Sequence, residues 1–290
     1  MSTSLTEPIS LRMATNLPPN VHVSQHPCLK AKLSQLRSHR TSGRETKQLI
    51  HDISLIVGCE ALAQGLTTQQ RSTVSPRFLI LTCKKINSLI AICRHYRKRH
   101  EADIPPPRLQ DQSILGYDYP VDSLSPSNIS LVPILRSGLG MVDALQTLLP
   151  DPVPIFHLGL YREKSTLQPV EYYNNLPYHK SSDAPPADAE APGGTSSSSF
   201  PSDLTIVVDP IIATGATASA AIETLSDWGV GRIVVVAVLA SVDGLKQAAS
   251  VWPTGTEFYV GGVDEKTDEK GMIIPGVGDV GDRLFGALGK

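Results

Sequence analysis

Cysteine is scarce in this chain of 290 residues. The four present, Cys28, Cys59, Cys83 and Cys93, are too few for a disulfide framework, and no two form a CxxC pair. Neither a structural zinc site nor a dithiol redox centre is therefore expected, and reduced thiols in a cytoplasmic protein are. An excess of one charge is lacking too. Twenty-six basic against 28 acidic residues leave a net charge of −2, which gives no global pull toward nucleic acid or a membrane surface. No apolar run reaches the roughly 18 residues that suggest a membrane-spanning helix. The opening MSTSLTEPISLRMATNLPPN has no basic stretch followed by an apolar core, so no secretory signal is expected. No GxGxxG follows a predicted strand, no GK[ST] is present, and no Ser-His-Asp set is evident.

What remains is an alternation of apolar segments. Residues 1–20 are polar and proline-punctuated, and are expected to be a flexible tail ahead of one domain over 21–290. Thr41–Gln64 has a helical period, with Leu49, Ile53, Ile56 and Val57 on one face and Leu62 extending it. Residues 71–112 break the pattern and are expected to form an irregular insert. RFLILTCKKINSLIAICRHYRKRH is apolar, then basic, and Pro105–Pro107 follow. Its Arg94–His100 cluster fits either a nucleic-acid or nuclear-import patch, or a solvated helix face or loose insert. The foreign composition also fits translated intron in a gene model, a hypothesis that sequencing the mature transcript tests.

Order resumes after Ser127. Strands are expected over Ile129–Leu135 and Val153–Leu160, with a helix over Leu139–Leu149 between them, closed by Pro150. Glu171–Pro177 is polar and aromatic. A disordered low-complexity loop is expected over 178–203. The strand 204–208 follows, then a helix Ala218–Trp228 stopped by Gly229, and a strand Arg232–Ala240. A helix near Leu245–Ser250 and a strand near Glu257–Val260 complete the pattern. This is an α/β fold with a mainly parallel sheet flanked by helices. Ligands of such sheets sit at the carboxyl ends of the strands, where Arg136 and Asp209 lie.

Four segments carry chemistry. In LTIVVDPIIATGATA (Leu204–Ala218) a β-branched run ends in an acid and leads through a Thr- and Gly-containing loop into a helix. A helix N-terminus favours an anion, and the carboxylate suits the hydroxyls of a phosphorylated sugar. The same turn also fits an ordinary strand-to-helix connection with Thr217 as N-cap. In VPILRSGLG (Val132–Gly140) the Arg136 fork beside a glycine turn suits a diphosphate, or is a surface arginine. In GLYREK (Gly159–Lys164) Arg162 is placed to close over an anion from a mobile arm, or is solvated. The glycine-rich IIPGVGDVGDRLFG (Ile273–Gly286) is expected to be no regular element. Its bent backbone offers amide edges to a planar heterocycle, or caps the domain as a tail.

Together, VPILRSGLGMVDAL, GLYREKSTLQPVEYY, VVDPIIATGATA and IIPGVGDVGDRLFG resemble, in order and spacing, the uracil phosphoribosyltransferases of the type I phosphoribosyltransferase fold. HPCLKAKLSQLR (His26–Arg37) is similar to the family's opening helix. The Asp-Pro that opens the phosphate loop is itself discriminating, since most relatives in the fold carry two adjacent acids there. The resemblance implies a small hood built from N- and C-terminal parts. It implies transfer of the 5-phosphoribosyl group from phosphoribosyl diphosphate to uracil, giving UMP and diphosphate in pyrimidine salvage. It assigns Asp209 to the ribose hydroxyls. It assigns Pro210, Ile211, Ile212, Ala213, Thr214, Gly215, Ala216 and Thr217 to the 5′-phosphate side of that substrate. Arg136 and Arg162 match the diphosphate arginines, and Ile273, Gly278 and Val280 match the uracil positions. Asp279 matches a residue where base, sugar and Mg²⁺-diphosphate meet. Mg²⁺ is implied, held mainly through diphosphate rather than by protein ligands. A homodimer or homotetramer and a GTP effector are also implied.

This sequence departs from the family in places. Ala216 stands where the family usually has glycine, and Val280 where it has alanine. Ala216 would cost about 1 kcal/mol or more at a positive φ. It is the feature that favours a non-catalytic homologue binding phosphoribosyl diphosphate or UMP as a sensor.

Overall fold

β-Branched residues concentrate where the chain is extended and buried on both sides. In this computed structural model residues 17–70, 110–163, 168–177 and 201–286 are described. The bulk of the 71–112 insert, with its Arg94–His100 cluster, residues 1–16 and most of the 178–203 loop lie outside them. Contacts divide the chain into two compact units, Leu66–Ser127 and the remainder, where one domain over 21–290 was expected.

The larger unit is built on β1 (Val21–Val23), β6 (Ile129–Leu135), β7 (Leu158–Arg162), β8 (Pro169–Asn174), β9 (Leu204–Val208), β11 (Ile233–Ala237) and β13 (Thr256–Val260). Their order is β1-β13-β11-β9-β6-β7-β8. Every neighbouring pair is parallel except β7 with β8. Thr205, Val207, Ile233 and Val235 point to one face, while Ile206, Val208, Val234 and Val236 point to the other, and all are buried. α4 (Ala216–Trp228) and α5 (Val242–Ala249) cover the first face through Ala221, Ile222, Leu225, Leu245 and Ala248. α2 (Gly43–Gly65) and α3 (Leu139–Leu148) pack together on the second, with Ile50, Ile53, Val57, Met141 and Leu145 fully buried. α2 starts on a capping box. The Ser42 amide and hydroxyl both donate to Glu45 Oε2, at 2.8 and 2.7 Å.

A small parallel sheet, β10 (Ile211–Ile212), β12 (Leu239–Ser241) and β14 (Val263–Asp264), lies beyond the main one. β15 (Lys266–Thr267) and β16 (Ile273–Ile274) form an antiparallel pair ahead of α6 (Val280–Phe285). α1 (Pro27–Arg37) meets this C-terminal part through Arg37, so N- and C-terminal segments do converge. In the second unit β2 (Thr67–Gln70) pairs antiparallel with β5 (Asp122–Ser125), and β3 (Gln110–Gln112) with β4 (Asp118–Pro120). Among the described residues no helix is long and apolar enough to cross a membrane.

Several sequence expectations need correction; the strand expected over Val153–Leu160 begins only at Leu158 and runs to Arg162. The tail over 1–20 is too long, because Asn20 is buried and its side-chain amide donates to the Thr256 carbonyl at 2.9 Å. The loose loop ends before Asp203, because Ser202 is buried and its hydroxyl donates to the Leu204 carbonyl at 2.8 Å. The strand over Arg232–Ala240 is two strands, β11 and β12. The amides of Val238 and Leu239 both turn to the Pro210 carbonyl, at 3.1 and 3.0 Å. Finally, Ile273–Gly286 does contain regular structure, β16 and α6.

Candidate active site

Two strand-to-helix turns meet at the carboxyl edge of the sheet. β9 delivers Asp209, and β6 delivers Arg136 and Ser137. Gly138 lets the two turns approach, since a Cβ there would stand 2.4 Å from the Val208 carbonyl oxygen. The Ser137 hydroxyl donates to Asp209 Oδ1 at 3.1 Å, and Asp209 is only 8 % exposed. This fixes one carboxylate oxygen by a charge-assisted bond.

The loop after β9 runs through β10 into α4. Gly215 is the N-cap of α4, with φ +86° and no side-chain cap, where Thr217 was the alternative expected. Thr217 lies inside the helix. Ser241 caps α5 by accepting from the Gly244 amide at 2.9 Å, and its hydroxyl donates to the Ala213 carbonyl. The backbone of the loop between β9 and α4 is thereby held from behind by α5.

A cavity of about 280 Å³ opens over these turns. Its wall includes Arg136, Asp209, Ile211, Ile212, Ala213, Thr214, Gly215, Thr217, Ile273, Gly278, Asp279 and Val280. Of the residues expected at the site, Pro210 and Ala216 are buried outside this wall. Arg162 ends β7, whose Leu160 and Tyr161 do line the cavity.

Ala216 is the first residue of α4, so the positive φ that would penalise alanine falls on Gly215 instead. Ala216→Gly is expected to lower stability by up to about 1 kcal/mol while changing the KM for a phosphorylated ligand less than about twofold. Thermal melts and steady-state kinetics check this, and a large KM change would place the methyl against the ligand.

Asp279 is exposed and caps α6, accepting from the Asp282 amide at 3.0 Å. Gly276–Gly281 spells GxGxxG behind β16. That strand has two residues and pairs antiparallel, and α6 has six, so no dinucleotide-binding βαβ unit is formed. Arg136 Nη2 lies 3.4 Å from Asp282 Oδ1, with the arginine side chain 59 % exposed, a weak pair that an anionic ligand displaces readily. Burial pulls the Arg283 guanidinium below the ordinary arginine pKa. It donates to the carbonyls of Leu36 and Val277 at 2.8 and 2.7 Å.

Sequence reasoning passed over several residues here. Tyr172 lines the cavity, and a Cβ on Gly159 would come within 2.8 Å of its ring. The tyrosine pair in VEYY was the available signal. Ser241 had one too, a serine three residues before a glycine at a helix start. Arg37 and Asp264, which hold the 273–280 loop, had none.

A model described as uracil phosphoribosyltransferase matches residues 23–94 and 91–287. A putative uracil phosphoribosyltransferase, urg2 of Schizosaccharomyces pombe, is 44 % identical over 173 residues, 60 % of this chain and 72 % of that protein. The uracil phosphoribosyltransferases of Roseiflexus castenholzii and Finegoldia magna are 32 % and 33 % identical, each over 92 % of this chain and 98 % of their own. The solved structure of the AQ2163 protein from Aquifex aeolicus superposes with a TM-score of 0.65 over 91 % of this chain and 97 % of its own. At 23 % identity it speaks for the fold alone. With the matched segments spanning nearly all of the described residues, the chain belongs to the uracil phosphoribosyltransferase family.

Proposed function

We propose that this protein transfers the 5-phosphoribosyl group of phosphoribosyl diphosphate to N1 of uracil, forming UMP and diphosphate for pyrimidine salvage. The observation that carries the reading is the meeting of four chemically distinct surfaces in one cavity. They are the Asp209 carboxylate, the α4 N-terminal loop, the Arg136 fork and the glycine-rich 273–280 backbone. Successive amides at Thr214–Thr217 suit the 5′-phosphate. Asp209 accepts from the ribose hydroxyls, and Arg136 and Arg162 neutralise the departing diphosphate. Ile273, Gly278 and Val280 hold the base, with Asp279 beside sugar and base.

The chemistry asks little else of the protein. The C1–oxygen bond to diphosphate breaks as the C1–N1 bond forms, C1 takes on oxocarbenium character, and the N1 proton is given up to the departing diphosphate or to solvent. Positioning, charge stabilisation and exclusion of water supply the rate. The cavity offers two carboxylates, Asp209 and Asp279, a hard oxygen donor set that suits Mg²⁺ held chiefly through diphosphate oxygens. Bound there, Mg²⁺ supplies charge neutralisation of the leaving group.

Arg136→Ala is expected to raise the KM for phosphoribosyl diphosphate by about 10–100-fold with little change in melting temperature, since the side chain is exposed and weakly paired. UMP formation by the wild-type chain is the primary test. Retained binding of phosphoribosyl diphosphate without turnover would overturn the reading in favour of a sensor. Ala216, the residue favouring a sensor, stands outside the cavity wall. The family resemblance also supports a homodimer or homotetramer, a GTP effector and a cytoplasmic location; light scattering and assays with GTP test the first two.

A further inference from the structure

The backbone between β16 and α6 is an unusual stretch to hold still. Gly276 and Gly278 both have positive φ, +61° and +74°. Gly276 admits no side chain, because a Cβ would stand 2.1 Å from the Ile273 carbonyl oxygen. Its amide donates to Asp264 Oδ2 at 3.0 Å, and its carbonyl accepts from Arg37 Nη1 at 2.9 Å. Both hydrogen-bonding groups of one residue are thus gripped by two side chains from distant elements. Those side chains are joined to each other. Arg37 Nη1 and Nη2 donate to the two Asp264 carboxylate oxygens, each at 2.7 Å. Asp264 is buried, and the Arg37 side chain is 26 % exposed. Neither residue lines the cavity, so neither touches substrate.

We propose that Arg37 and Asp264 are a positioning pair for the base-binding loop, setting the affinity for uracil through the direction of the backbone at Gly276–Val280. The inference rests on the reading of Ile273–Val280 as the loop that binds the base. A bidentate arginine–carboxylate pair is planar and stiff, so the two atoms it presents to Gly276 keep a fixed separation and orientation. Backbone recognition of a planar heterocycle depends on such direction, since a hydrogen bond weakens steeply when bent. The phosphate loop, on β10 and α4, makes neither of these hydrogen bonds, although Asp264 stands opposite Ser241 in the small sheet. The pair therefore acts first on the base side, and the sugar substrate feels it only through Asp279 at the far end of the loop and through the small sheet that β14 shares with β10.

The test uses the full chain with Asp264→Asn, Arg37→Lys and Arg37→Met. Asp264→Asn keeps the shape but loses the charge. Arg37→Lys keeps the charge but loses the fork. Asp264→Asn and Arg37→Lys are expected to raise the KM for uracil about tenfold, and Arg37→Met further, so that the lysine partly rescues. The calorimetric Kd for phosphoribosyl diphosphate is expected to stay within about twofold of wild type. An unchanged uracil KM in both conservative variants overturns the proposal. So does a parallel loss of affinity for both substrates, which marks a purely structural role. A wild-type chain that makes no UMP refutes the functional reading instead. Amide exchange at Gly276–Val280 then decides the pair's role: faster exchange in Asp264→Asn supports it, and unchanged exchange overturns it.

Discussion

Asp209→Asn is expected to lower kcat/KM for phosphoribosyl diphosphate by about 10²–10⁴-fold, the loss of two charge-assisted hydrogen bonds of about 1.5–3 kcal/mol each. An ionised carboxylate accepts only, which matches a pair of ribose hydroxyls that both donate. Asparagine has nearly the same shape but turns one of its two positions into a donor. Asp209 is buried, and Ser137 already occupies one side of Oδ1. The amide therefore has little freedom to rotate away from the conflict. The change also removes a negative charge beside the carbon that becomes electron-poor in the transition state, so kcat falls along with binding. Steady-state kinetics with both substrates varied, alongside a thermal melt, measure this. A variant with wild-type kcat/KM and an unchanged melt would remove Asp209 from the sugar site.

Parts of this molecule were legible for a plain physical reason. β6 and β9 are buried on both faces, so they read as largely apolar runs broken only by Ser130 and Thr205, and their ends mark the sheet edge where Arg136 and Asp209 stand. Gly229 stops α4 as expected, at φ +90°. β8 was read only as polar and aromatic because it is an edge strand whose residues are mostly exposed, so no apolar alternation marks it. The break at Val238 comes from the Pro210 carbonyl, a tertiary partner with no local signature. α6 was masked by its glycines, although Asp279 three residues before Asp282 is a capping pattern. Arg37 and Asp264 are 227 positions apart, and nothing in either neighbourhood announces the other. The residues at the strand ends thus carry a local signature that the residues holding the loops behind them do not.

Gly244→Ala tests that second class most sharply, because it stands in α5, outside the cavity wall. Propensity alone favours alanine at a helix interior by about 1 kcal/mol. The packing forbids it. A Cβ on Gly244 would stand 2.2 Å from the Ala213 carbonyl oxygen, and the reciprocal Cβ on Gly215 would stand 2.4 Å from the Gly244 carbonyl oxygen. These are backbone-to-backbone approaches, so no rotamer change relieves them. Either α5 or the phosphate loop must move, and the Ser241 bond to Ala213 ties the two together. A displacement near 1 Å in a substrate-positioning loop costs on the order of 10²-fold in rate. The expected result is a KM for phosphoribosyl diphosphate raised by at least about tenfold, with the uracil KM much less affected, as the base loop lies on other elements. Gly215→Ala carries the same clash plus the strain of φ +86°, and is expected to be the more damaging of the two. If Gly244→Ala instead raises the melting temperature and leaves both KM values alone, helix propensity has won and the close packing of α5 does not constrain the phosphate loop.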